Sequence, residues 1–450
     1  MEFRQGESDM RSSINGHAGG WVGGCTPRST FPCTPMNVAL VAVWLAAGGC
    51  SREDRTPAGS EWRAQVDTVG DTITVRTLAG SEWGAAELVP ELRIGALEGA
   101  DHEIFGQIVG LTIDAADNIY IYDHQVPALR KYAPDGRYLA TFGREGGGPG
   151  EYANSDGGLA ALADGRIVLR DPGNARFTIY APDGEYLESW PIRGGAFTST
   201  PIFPSADGGL YNPVFGGGQP MRLVHYASDG TPGDSLPIPA RRVERATVRA
   251  QVEGASQAWS VPFSERALWT WHPEGYYISA VTGRYAIDLL RRDRRVLRIA
   301  KDVEPTPVTS EERAAEEDRV SRAMRRLDPS WRWNGPPIPQ TKPILRRLYA
   351  GEDGRIWVLL HQPGERVADQ ELEPGPDGRP PVPQFREPTV FDVFEEDGRY
   401  LGRVAAPTAF STSPRPIFRG DDVWSTERDE LGVQYVVKYR IATAREPPWR

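Results

Sequence analysis

The pentapeptide Tyr132-Ala133-Pro134-Asp135-Gly136 returns as Tyr180-Ala181-Pro182-Asp183-Gly184, and the sequence around it returns in the same register. Laying Pro90–Leu139 over Tyr138–Leu187 pairs Gly95 with Gly143, Glu103 with Glu151, Gly110-Leu111 with Gly158-Leu159, Ile119 with Ile167 and Asp123 with Asp171, every pair 48 residues apart with no gap. A fixed period of this length marks a repeat architecture, in which each unit buries its apolar face against the next. Inside the unit, Leu111 to Ile113, Ile119 to Tyr122, Leu129 to Tyr132 and Tyr138 to Phe142 read as short strands. Asp-Asn or Asp-Gly pairs separate the first from the second and the third from the fourth; such pairs accept positive φ and close tight hairpins. Four antiparallel strands in about 40 to 50 residues is the size of a propeller blade.

Counting such turn pairs along the chain gives six units and an all-β fold, a six-bladed β-propeller over residues 71–445. The sixth unit stops after the strand Val433 to Ile441, one strand short. Leu92-Arg93-Ile94-Gly95 aligns with Ala140-Thr141-Phe142-Gly143, so a strand near Leu88 to Ile94 is expected to complete the last blade and fasten the ring. Thr72 to Leu78 reads as a further edge strand. Composition agrees: 49 Gly and 39 Pro in 450 residues suit many short strands and tight turns better than long helices. With 51 basic against 61 acidic side chains, net −10, a nucleic-acid partner is not expected.

Phe142-Gly143-Arg144-Glu145-Gly146-Gly147-Gly148-Pro149-Gly150-Glu151-Tyr152, with Asp164-Gly165-Arg166-Ile167-Val168 and Asp171 after it, resembles the NHL-repeat type of six-bladed propeller. The resemblance is specific in the first two units, and the turn pattern extends it from about residue 86 to 442. It implies the fold and leaves the activity open, because such propellers serve as lyases, lactonase-like hydrolases and binding platforms.

Long excursions are confined to one set of loops. Pro239 to Pro262 and Asp302 to Pro343 (insertions 239–262 and 302–343) lie between units, and Gln362 to Glu387 (362–387) lies between the second and third strands of the fifth unit. All three fall on one face of a propeller, where loops on a rigid scaffold build ligand surfaces. In the middle insertion Thr309-Ser310-Glu311-Glu312 matches a capping box, and Val320, Ala323, Met324 and Leu327 recur at helical spacing. One short helix followed by Trp331 and Trp333 is expected to lie across the mouth as a partial lid. Trp259, Trp269 and Trp271 stand near the first insertion; these aromatics suit stacking on a sugar or peptide, or simple anchoring of the insertions.

The same face is expected to carry Asp123, His124, Asp171 and His361, the two histidines at equivalent positions of the first and fifth units. Such a set suits binding, or a divalent metal held by His124 and His361 beside the channel. Arg144 and Glu145 join the candidate binding residues, while the in-register pair Glu103 and Glu151 suits a structural task, accepting loop amides. No catalytic residue is assigned. The expected function is a binding module for a peptide, saccharide or envelope protein without a cofactor; the alternative is a metal-assisted hydrolase or lyase.

Cysteines occur only at 25, 33 and 50. The apolar run Met36–Gly49 is too short to span a bilayer and suits a signal-peptide core. Ala47-Gly48-Gly49-Cys50 resembles the lipobox of bacterial lipoproteins, which implies cleavage before Cys50 and its acylation; the departure is Ala47, where that family has Leu. Residues 1–50 then form the leader and signal peptide, with Met36 or Met10 as alternative starts, and 51–70 a polar tether. The address implied is the bacterial cell envelope, lipid-anchored at the outer membrane.

Overall fold

The Asp-Gly turns are all built the same way. The aspartate carboxylate accepts the backbone N–H two residues on: Asp135 from Arg137 at 3.0 Å, Asp183 from Glu185 at 3.1 Å, Asp229 from Thr231 at 2.8 Å and Asp397 from Arg399 at 2.9 Å. The glycine then takes positive φ, 99° at Gly184 and 76° at Gly230. No side chain fits at either position: a Cβ would stand 2.7 Å from the Phe142 ring at Gly184 and 2.1 Å from Trp190 at Gly230. Phe142 and Trp190 are one period apart, so each turn seats on the last strand of the preceding unit, and the repeat in sequence is a repeat of packing.

A computed structural model describes residues 61–194, 200–216, 219–239, 241–367 and 384–443. The chain begins with β1 (Arg63–Val69), β2 (Thr72–Ala79) and β3 (Gly84–Ile94). A meander follows, β4 (Ile108–Ile113), β5 (Ile119–Asp123), β6 (Ala128–Tyr132) and β7 (Tyr138–Phe142). Next come the two-residue strands β8 (Arg144–Glu145) and β9 (Glu151–Tyr152), then β10 (Leu159–Ala161), β11 (Ile167–Asp171), β12 (Arg176–Tyr180) and β13 (Tyr186–Pro191). The third set is β14 (Phe203–Pro204), β15 (Leu210–Gly216), β16 (Gln219–Tyr226) and β17 (Pro232–Pro237). After the hairpin β18 (Thr247–Val252) and β19 (Ala255–Ser260) come β20 (Ala267–His272), β21 (Tyr276–Val281), β22 (Ala286–Leu290) and β23 (Val296–Lys301). The helix α1 (Ser310–Arg325) precedes β24 (Leu345–Ala350) and β25 (Ile356–Leu360). The short β26 (Glu365–Arg366) and β27 (Phe385–Arg386), then β28 (Val390–Phe394) and β29 (Tyr400–Ala405), complete that set. The last three are β30 (Ile417–Arg419), β31 (Asp422–Arg428) and β32 (Gln434–Thr443).

The protein is all-β with one α-helix among the described residues. The sets β4–β7, β10–β13 and β14–β17 are separate four-stranded sheets. Strands β20–β23 form a fourth, widened by β2, which runs parallel to β23, and by β1 beyond it. The fifth sheet has eight strands because β3 bridges two sets. Its first residues pair in parallel with β29, Gly84 opposite Gly402 through Glu87 opposite Ala405. Along its length it pairs antiparallel with β32, placing Leu92 opposite Lys438 and Ile94 opposite Val436.

Cores lie between successive sheets. Tyr120, Tyr122, Leu129 and Phe142 meet Tyr152, Leu159, Ile167, Leu169 and Tyr180, all of them buried. Each such side chain contributes roughly 1.5–3 kcal/mol on leaving water.

The segment 51–70, expected as a tether, carries strand β1 from Arg63 onward, paired with β2 from Arg63–Ala79 to Val69–Thr72. The alternation Ala64, Val66, Thr68 against polar neighbours is enough to extend the hairpin once Gly70 makes the turn. Cys50, the leader and residues 368–383 of the third insertion lie outside the described residues.

Candidate functional site

Asp123 and Asp171 are fully buried at the ends of β5 and β11 and do the same work. Asp123 accepts the amides of Gly106 (2.8 Å) and Gln107 (2.9 Å); Asp171 accepts those of Ala153 and Asn154, both at 3.0 Å. Each carboxylate staples the loop leading into its own sheet. Gln125 N–H adds a bond to Asp123 and the Asn174 amide one to Asp171. With their lone pairs so engaged, neither is free to hold a metal.

His124 and His361 are structurally equivalent, each donating its backbone N–H to the residue before a first strand, Gln107 and Ile344 respectively. The equivalence does not bring the rings together. His124 is exposed, and the His361 ring sits 3.0 Å from Glu387. Among the described residues, neither histidine belongs to a grouping of three potential metal ligands; that grouping is His272, Glu274 and Glu396. The His272 ring is already engaged there, Nε2 with the Gly354 carbonyl at 2.9 Å and Nδ1 accepting Glu274 N–H at 3.2 Å. Among the described residues, the metal site expected at His124 and His361 therefore finds no ligand set.

Arg144 and Glu145 are exposed on β8. Arg144 pairs with Glu151 at 2.7 Å, and Glu151 accepts Gly148 N–H at 2.7 Å, while Glu103 accepts Ala100 N–H at 2.9 Å. The recurring glutamates thus fasten loops, as their register suggests.

The three insertions form one assembly. Thr309 caps α1 by accepting Glu312 N–H at 3.1 Å. Val320, Met324 and Trp331 pack with Val248, Ala250 and Val261 of the first insertion. Trp331 donates its indole N–H to the Arg249 carbonyl at 2.7 Å, and Trp333 packs beside it with its indole N–H on the Pro336 carbonyl at 2.9 Å. Both indoles are anchors. The third insertion joins through Lys342, whose fully buried ammonium reaches Glu312 at 2.6 Å, Glu387 at 3.0 Å and the Gln362 carbonyl at 2.9 Å. Burial works against the Glu387 carboxylate, but His361, the Gln362 amide and Lys342 outweigh it and hold the group down at about 2.

The large cavity lies elsewhere. It has a volume of about 1260 Å³ and is lined by residues of β4, β10, β14, β20, β24 and β30, the first strand of each set. None of its lining residues belongs to 239–262 or 302–343, so the helix does not act as the lid expected of it. Phe203, Trp269, Trp271 and Tyr349 give it aromatic walls. Arg347, the third residue of β24, and Arg415, just before β30, line it as well. Burial pushes the Arg415 guanidinium down to about 10, and the like charge of Arg347 adds to the effect; the group is still cationic at neutral pH. Glu352 lines the same space. Desolvation by the surrounding protein raises its carboxyl above the ordinary value, against the pull of Arg419.

None of the candidate residues Asp123, His124, Arg144, Glu145, Asp171, His361, Trp331 and Trp333 lines this cavity. Trp269 and Trp271 were visible in sequence as an alternating pair. Arg346-Arg347 carried a weaker signal, two charges inside the apolar strand Leu345–Ala350.

No protein-family model and no curated protein sequence matches the chain. Solved structures do. A DUF4221 family member from Bacteroides vulgatus is 8% identical with a TM-score of 0.42, covering 81% of this chain and 100% of its own. A protein of Bacteroides fragilis described as exported is 10% identical with a TM-score of 0.44, covering 83% and 100%. Virginiamycin B lyase from Staphylococcus aureus is 9% identical with a TM-score of 0.37, covering 79% and 100%. The first and third are β-propeller-type folds. With TM-scores below 0.5, the description of this chain rests on its own strand pairing.

Proposed function

We propose that the chain is a six-bladed, NHL-like β-propeller, exported and lipid-anchored at the cell envelope, that works as a binding module. The six strand sets are the blades, and β3, paired with β32, supplies the missing strand of the last one. Supporting this, Gly136 sits against Leu92 and Ile94 as Gly184 sits against Phe142 and Gly230 against Trp190. The binding reading is carried by one observation: six first strands converge on a single cavity of about 1260 Å³, larger than the usual 300–1,000 Å³ of a small-molecule pocket. Space and aromatic walls of this kind suit a peptide, a saccharide or a projecting segment of a partner protein.

The test is a thermal-shift screen of the full chain against short peptides and oligosaccharides, repeated on Trp269→Ala. Hits whose affinity falls tenfold or more in the variant support the cavity as the site. Hits with unchanged affinity in Trp269→Ala would place binding elsewhere.

A further inference from the structure

Arg415 and Arg347 line the cavity with no carboxylate within ion-pair distance among the described residues; Glu352 acts on Arg415 only from further away. Arg415 donates to Thr270 Oγ1 and to the Ala350 carbonyl, both at 3.3 Å, longer than the usual N–H···O length of about 2.9–3.0 Å. Arg347 donates to the Thr412 carbonyl at 2.9 Å. Neither forms an ion pair among the described residues. Arginines nearby are matched: Arg170 with Asp156 at 2.8 Å, Arg419 with Asp117 at 2.8 Å and with Glu352. A partly buried cation without a close counter-charge is costly, and the carboxylates that line the same space, Asp156 and Glu352, are taken up by Arg170 and Arg419.

Two more polar groups of the same wall lack partners. Trp271 is 3% exposed and Tyr349 1%, and neither the indole N–H nor the hydroxyl has a hydrogen-bond partner. The rings of Phe203 and Tyr349 flank the Arg415 guanidinium at 5.6 and 5.5 Å, so the cation rests between apolar faces.

The geometry points to a carboxylate subsite: a ligand with an apolar or aromatic body and one carboxylate head, the head held by Arg415 and Arg347, the body against Phe203 and Trp269. This deepens the binding reading above and rests on the cavity being the ligand site. A planar carboxylate matches the guanidinium fork with two parallel hydrogen bonds. A single negative charge fits better than a dianionic phosphate ester, because Glu352 and Asp156 line the same space and would repel the second charge.

The experiment titrates the full chain with 3-phenylpropionate, its neutral amide and phenyl phosphate, following tryptophan fluorescence and heat. The carboxylate is expected to bind at least tenfold more tightly than the amide. Arg415→Gln should weaken the acid far more than the amide and so erase that preference. Arg347→Gln, an exposed position, does the same to a smaller degree and serves if the Arg415 variant does not fold. Equal affinity for acid and amide, a preference surviving both variants, or tighter binding of phenyl phosphate would each overturn the carboxylate subsite while leaving the cavity as the site. Loss of the wider reading looks different: none of the three probes binds, and peptide or saccharide hits ignore Trp269→Ala.

Discussion

At the scale of single residues, what a side chain does follows from which partners reach it. Asp123 and Asp171 look like ligands in sequence and are staples in the fold, each taking two loop amides. Glu387, unremarked in sequence, is held at about 2 by His361, the Gln362 amide and Lys342 against its own burial. Its folded value lies below the ordinary 4.5, so its contribution to stability is complete above about pH 4.5 and is lost as pH falls toward 2. Urea unfolding of the wild type and of Glu387→Gln across that range measures it. The gap between them should narrow by roughly 3 kcal/mol on acidification, since each tenfold change in proton affinity is worth about 1.4 kcal/mol; a constant gap would contradict the Lys342 hub. The register of Glu103 and Glu151 made their loop-fastening role legible. Arg415 was not legible, because its neighbours Phe203, Thr270 and Tyr349 come from strands far away in sequence, and no local pattern encodes that.

At the scale of elements, strands and turns were readable because their causes are local. Asp-Gly turns, alternation and the 48-residue period fix them, and the capping box Thr309-Ser310-Glu311-Glu312 fixed the start of α1. What elements do to one another was harder to read. Trp331 and Trp333 suggested a ligand platform, yet their indole N–H groups are taken by carbonyls of the insertions themselves. The apolar segment Met36–Gly49 lies outside the described residues, and its reading rests on length and on the small residues before Cys50. If it is a lipoprotein signal, Cys50→Ser should release the protein from the membrane fraction, with loss of lipid labelling. Unchanged retention and labelling in the variant would remove the anchor from the proposal.

At the scale of the whole molecule, β3 is the decisive element. It pairs with β29 and β32, strands separated from it by more than three hundred residues, and so joins the start of the repeat to its end. In the proposed ring, such closure would leave few free strand edges and set six first strands around the cavity. The sequence from 51 onward contains no cysteine, so a pair introduced at Arg93 and Val437, which face each other across β3 and β32, would be the sole thiols there. Opposed residues in antiparallel strands have Cα atoms about 4.5–5.5 Å apart, within disulfide reach. The most direct test is mass analysis of Arg93→Cys/Val437→Cys after mild oxidation under native conditions, with Cys25, Cys33 and Cys50 changed to serine. Closure of the ring by β3 predicts a quantitative intramolecular disulfide; two free thiols that both remain alkylatable in the folded protein would contradict it.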